Sequence, residues 1–181
     1  MTMNKILLID DEPDIVRVLG ISLKADGYEV IPALSGTEGI EAFAKEKPEI
    51  VITDIKMPGM DGIEVLEKIK ILDPNTEVII ITGHGDIDNT IEALKYGASD
   101  FISKPVRDDA LSIALKRAKE KLDIRRQLKE YTIDLEKKID FATTELTRQT
   151  NFQIKLIRSS NDGIVATDRD LKIVIFNPGA G

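Results

Sequence analysis

Five short apolar runs recur along the first part of the chain, each followed by a stretch patterned as a helix. They are Ile6-Leu7-Leu8-Ile9, Tyr28-Glu29-Val30-Ile31, Ile50-Val51-Ile52-Thr53, Val78-Ile79-Ile80-Ile81 and Phe101-Ile102-Ser103. The first, third and fourth are too continuous to leave one face in water, so strands made from them must be covered on both sides. Pro13 marks a helix start and Gly27 its stop, with Ile15, Val16, Val18, Leu19 and Leu23 at helical spacing between them. Ser35 or Gly36 opens a second helix through Ile40, Ala42 and Phe43. Ile63, Val65, Leu66 and Ile69 pattern a third, and Ile87–Tyr96, stopped by Gly97, a fourth. Repeated strand-helix units of this length predict an α/β fold, a doubly wound five-stranded parallel sheet with helices on both faces. The commonest order, 2-1-3-4-5, sets the first and third strands side by side.

The chemistry then gathers at one edge. Asp10 and Asp11 end the first run, Asp54 the third, Thr82 follows the fourth, and Lys104 follows the fifth. Three close carboxylates repel one another unless a cation sits among them. Magnesium suits such a cluster, because it takes oxygen ligands and bridges readily to phosphoryl groups. The absence of cysteine excludes disulfides, zinc-thiolate sites and thiol nucleophiles. No segment approaches the roughly 18 apolar residues of a membrane span, and Met1-Thr2-Met3-Asn4-Lys5 leads into a strand rather than a signal peptide, so a cytoplasmic protein is expected. The net charge of −7 is uneven: residues 1–106 carry 10 basic and 20 acidic side chains, residues 107–158 carry 13 and 9. An acidic globule followed by a mildly basic helix argues against direct nucleic-acid binding.

The ordered set Asp10-Asp11, Asp54, Thr82 and Lys104-Pro105 resembles the receiver domain of two-component response regulators, a flavodoxin-like fold, over residues 4–106 and into a fifth helix. Thr82-Gly83-His84-Gly85 and Asp100 through Pro105 are most similar to regulators of the nitrogen-regulation type. The resemblance implies that Asp54 accepts a phosphoryl group from a phosphohistidine on a sensor histidine kinase or phosphotransfer protein. It implies direct Mg2+ ligation by Asp11, Asp54 and the backbone carbonyl of Lys56, with Asp10 acting mainly through water. Lys104 and the Thr82 hydroxyl would meet the phosphoryl oxygens, and neutral Gly83 would leave access open. Lys104-Pro105 resembles the family's cis peptide, which aims the lysine. A domain of this kind catalyses its own phosphorylation and dephosphorylation. Phe101 is either a core aromatic or the family's switch aromatic, coupled to Thr82. Lys56 and His84, two positions past Asp54 and Thr82, are candidate modulators of acyl-phosphate lifetime. Met57-Pro58-Gly59-Met60 reads as a turn with exposed methionines or as a kinase-contact loop.

From Val106 to about Arg158 there is no proline or glycine, which predicts one helix about 75 Å long. A stripe at Leu111, Leu115, Ala118 and Leu122 and a second at Leu128, Leu135, Ala142 and Gln149, interleaved with Thr132, Ile139 and Leu146, suggest a parallel homodimeric coiled coil. The two stripes differ in heptad phase, and the shift falls near Ile124-Arg125-Arg126. A lone solvated helix and an antiparallel hairpin are the alternatives. Phe152 through Asp168 and Ile173 through Pro178 resemble the opening of a PAS sensory domain, so a fragment of a longer protein is expected. The expected division is a receiver core at 1–106, a signalling helix at 107–158 and a PAS fragment at 159–181. Two other functions remain open: a Mg2+-dependent phosphohydrolase working through an aspartyl phosphate, which would want an acid where Lys56 stands, and a non-catalytic coiled-coil adaptor.

Overall fold

The apolar runs pair as parallel strands in a computed structural model that describes residues 5–83, 87–170, 172–176 and 178. The elements in order are β1 (Lys5–Ile9), α1 (Pro13–Ala25), β2 (Glu29–Ala33), α2 (Gly36–Glu46), β3 (Ile50–Asp54), α3 (Gly62–Leu72), β4 (Glu77–Thr82), α4 (Ile87–Lys95), β5 (Asp100–Ser103), α5 (Asp108–Ser159), β6 (Val165–Thr167) and β7 (Ile173–Phe176). The chain divides into two units, Met1–Arg126 and Gln127–Gly181.

In the first unit the sheet order is β2-β1-β3-β4-β5, all parallel, as the alternation of runs and helices predicts. Pairing of Ile9 with Thr53, Asp54 with Ile81 and Thr82 with Ser103 brings the carboxyl ends of β1, β3, β4 and β5 level. Side chains alternate between the two faces. Ile6, Leu8, Ile52, Ile79, Ile81 and Ile102 pack against α1 and α5, while Leu7, Ile9, Val51, Val78 and Ile80 pack against α2, α3 and α4. Each such side chain contributes roughly 1.5–3 kcal/mol when removed from water. Local signals set the helix ends. Ser35 caps α2 by accepting from Glu38 N, Asp61 and Glu64 form a reciprocal capping box on α3, and Gly27, at φ 85°, ends the turn after α1.

The first stripe of α5 corrects one expectation. Leu111, Leu115 and Ala118 are buried in the chain's own core beside Ala114, and Leu122 packs partly against the same cluster. They cover a sheet face that α1 alone leaves open, so they are not part of a seam between two chains. Where this stripe ends, ion pairs take over. Arg125 Nη1 lies 2.5 Å from Glu77 Oε1 and donates to the Asn75 carbonyl at 2.7 Å; Arg126 Nη2 lies 2.5 Å from Glu49 Oε2; Lys121 donates to the Ser99 carbonyl at 3.1 Å. The change of heptad phase near Ile124-Arg125-Arg126 therefore marks the boundary between sheet-covering and sheet-independent parts of one helix.

In the second unit, Leu128, Leu135, Ile139, Ala142 and Leu146 are exposed on α5. Strands β6 and β7 form an antiparallel hairpin whose turn is held by Asp168 Oδ1, which accepts from the backbone N–H groups of Asp170 and Lys172 at 2.9 Å each. Among the described residues, no helix is long and apolar enough to cross a membrane.

Candidate functional site

Asp10 immediately follows β1 and is fully buried. Its backbone N–H donates to the Ala33 carbonyl, and its Oδ1 accepts from the Glu12 N–H at 2.9 Å, which turns the chain into α1. Asp54 closes β3 with only 4% of its surface exposed. Its carbonyl accepts from the Thr53 hydroxyl at 3.1 Å and is packed by Gly62, where a Cβ atom would collide with that oxygen. The following loop is tied down by Ile55 N–H to the Ile81 carbonyl and Gly62 N–H to the Ile55 carbonyl. The backbone beneath the Asp54 side chain is thus fixed on both sides.

Lys104 enters from the end of β5, and its peptide bond to Pro105 is cis. Its Nζ lies 3.1 Å from Asp10 Oδ2, 3.2 Å from Asp54 Oδ2 and 3.3 Å from Glu12 Oε1. Asp10, Asp11 and Asp54 each offer a carboxylate oxygen, all within 4.8 Å of one another. Burial pushes the Asp54 carboxyl above its ordinary pKa; the charge and hydrogen bond of Lys104 oppose this without cancelling it, and Asp10 adds to the rise. Burial works against the Lys104 ammonium too, yet its hydrogen bonds and charge interactions with Asp10 and Asp54 outweigh that and raise its pKa.

A single ammonium does not balance this cluster. Asp10 Oδ2 is buried and faces an ammonium that it shares with Asp54 and Glu12, so the negative charge held in the protein interior is only partly compensated. Three hard oxygen donors converging with surplus negative charge fit a small divalent cation such as Mg2+.

Thr82 ends β4, almost wholly buried, and its hydroxyl donates a long 3.4 Å bond to the adjacent Gly83 carbonyl. Phe101 is 46% exposed, which overturns its reading as a core aromatic. On β5 the core position belongs to Ile102, and the two-residue period sends Phe101 to the other face. The methionines after Asp54 also depart from expectation. Met57 is buried in the core on the α2 and α3 side and Met60 packs partly against it, because Gly36 lets the Met60 carbonyl approach α2 closely. The Lys56 side chain is exposed. His84 lies outside the described residues. Glu12 carries no pattern that marks it from sequence; its one signal is its place in the acidic run Asp10-Asp11-Glu12.

Residues 6–116 match the response regulator receiver domain family. Transcriptional regulatory protein GlrR of Escherichia coli K12 is 40% identical over 115 residues, covering 64% of this chain and 26% of that protein. Sporulation initiation phosphotransferase F of Bacillus subtilis is 37% identical over 117 residues, covering 65% of this chain and 94% of that protein. A solved response regulator receiver domain protein from Clostridium thermocellum aligns with a TM-score of 0.64 at 42% identity, covering 70% of this chain and 99% of that one. The chain spans about a quarter of the length of the transcriptional regulators it matches. With this match and the acid cluster at the carboxyl edge of a 2-1-3-4-5 sheet, the chain belongs to the response regulator receiver family.

Proposed function

We propose that this chain is a phosphorelay receiver in which Asp54 accepts a phosphoryl group from a phosphohistidine of a sensor kinase or phosphotransfer protein. The observation that carries the reading is the Lys104 ammonium held 3.2 Å from Asp54 and 3.1 Å from Asp10 at the mouth of the sheet. An Asp54 oxygen attacks phosphorus as the phosphorus–nitrogen bond breaks, and the imidazole leaves with the electron pair. Lys104 stabilises the charge on the phosphoryl oxygens. Asp10, Asp11, Asp54 and the Lys56 carbonyl would hold Mg2+, which supplies further positive charge against those oxygens. The Thr82 hydroxyl exchanges its long bond to Gly83 for a phosphoryl oxygen, and Phe101 turns from its exposed position toward the space this opens. Lys56 and His84 tune how readily water reaches the acyl phosphate.

The exposed stripe Leu128, Leu135, Ile139, Ala142 and Leu146 is the seam of a parallel homodimer, and the β6–β7 hairpin belongs to a PAS module that receives the change. The setting is cytoplasmic. In the test, the chain and its D54A variant are incubated with acetyl phosphate and Mg2+, with intact mass and light scattering as readouts. One added phosphate, lost in D54A, together with a change in association, supports the reading. Catalytic release of free phosphate would instead indicate a phosphohydrolase, and no adduct would leave a coiled-coil adaptor.

A further inference from the structure

Glu12 stands at the N-cap of α1, where a side-chain oxygen ordinarily accepts a hydrogen bond from the first helical turn. It makes no such bond. Its carboxylate instead accepts from Lys104 Nζ at 3.3 Å, 92 residues away in sequence. The Glu12 side chain is 61% exposed, whereas Asp10 and Asp54 are almost wholly covered. The ammonium thus has two inner anchors and one outer anchor. The inner pair holds it between Asp10 and Asp54, beside the carboxylate that attacks. The outer one holds it toward solvent, on the side from which a phosphoryl group arrives.

We propose that Glu12 is a positioning residue for phosphoryl transfer: as the outer of three carboxylates around the Lys104 ammonium, it fixes that ammonium at the rim of the site, within reach of both Asp54 and the incoming phosphoryl oxygens. This rests on the reading of Asp54 as the phosphoacceptor. Without Glu12, Lys104 keeps its two buried partners, where charge attraction is stronger than at the surface, but loses the outer anchor that fixes its ammonium toward the phosphoryl oxygens. With acetyl phosphate as donor, an Asp54 oxygen bonds to phosphorus, the bond from phosphorus to the acetate oxygen breaks, and acetate leaves with the electron pair. Glu12 touches none of the reacting atoms and acts through Lys104.

The test follows Asp54 labelling over time by intact mass in the 181-residue chain and its E12A, E12Q and D54A variants, with Mg2+ and a range of acetyl phosphate concentrations. The saturating rate in E12A falls about five-fold, the rate equivalent of one exposed charged contact, with the half-saturating concentration unchanged. E12Q keeps an acceptor oxygen at the same reach and falls only about two-fold. An E12A rate equal to or above wild type, a change confined to the half-saturating concentration, or no recovery in E12Q overturns the proposal. Absence of labelling in wild type, or labelling of D54A, overturns the phosphoacceptor reading instead, so the two failures are distinct. Because no cap bond is lost, E12A melts within about 2 °C of wild type. Should it melt lower, the rate of E12Q carries the comparison.

Discussion

Removing Arg125 should weaken the receiver unit far more than its surface position suggests. Glu77 is only 1% exposed, and its Oε1 makes no hydrogen bond beyond the ion pair with Arg125 at 2.5 Å. The next ammonium, Lys121 Nζ, is 3.9 Å from Oε2. Removing one partner of a buried pair costs about 3–5 kcal/mol, because the other charge stays buried without compensation. Arg125 is itself 42% exposed and Lys121 remains nearby, so solvent screening reduces the expected loss for Arg125→Met to about 2 kcal/mol. At a typical slope of 1–3 kcal/mol per molar urea, the midpoint falls by about 1 M. The assay is urea unfolding followed by far-UV circular dichroism, with tyrosine emission as a second probe, since Tyr28 lies in the receiver core under the Lys119 ammonium at 4.3 Å. The double variant E77M/R125M should be the more stable of the two, because it removes the stranded carboxylate along with its partner. A loss in R125M below about 0.5 kcal/mol, the scatter of ordinary surface substitutions, or a double variant no better than R125M, would refute the reasoning.

Leu115→Ala should destabilise the receiver unit by about 3 kcal/mol in the same urea titration. Ile139→Ala should leave the unfolding midpoint of that unit unchanged and weaken self-association in light scattering. Gly62→Ala drives a methyl group into the Asp54 carbonyl oxygen, so thermal melting should show a loss of about 3 kcal/mol or outright failure to fold. Because its pKa is raised in the folded state, ionised Asp54 costs stability at neutral pH. Asp54→Asn should therefore unfold at higher urea than wild type at pH 7, with the gap closing as pH falls through the folded pKa toward the ordinary aspartate range. Lys104 has the opposite sign: its raised pKa contributes stability that is fully present below the ordinary lysine value and lost as pH rises through the folded one. Lys104→Met should flatten that alkaline loss.

The sheet was legible because its strands are short, apolar and punctuated, and because parallel connection rules leave few orders for five such units. Asp10, Asp11, Asp54 and Lys104 were legible for the same reason, as each stands at the carboxyl end of a strand or within two residues after it, and the fold does the rest. Side chains whose fate depends on a distant partner were not. Leu111 and Leu115 sit at helical spacing that serves a sheet or a second helix equally well, and only the open face beside α1 decides between them. Phe101 is apolar enough for a core, yet Ile102 already occupies that position. Glu12 reads as an ordinary acidic helix start, and its link to Lys104 spans almost the whole receiver sequence.

The division of α5 at Arg126 bears on how such proteins can be recombined. A splice at residue 106, where strand and loop patterns end, would remove Leu111, Ala114, Leu115 and Ala118 and uncover one face of the sheet. It would also strip Glu77 and Glu49 of their arginines. A splice just after Arg126 keeps every one of these partners and carries only sheet-independent helix across the junction. Chimeras that exchange the downstream segment while preserving residues 108–126 should retain a stable receiver, with the heptad phase across the graft as the variable to tune.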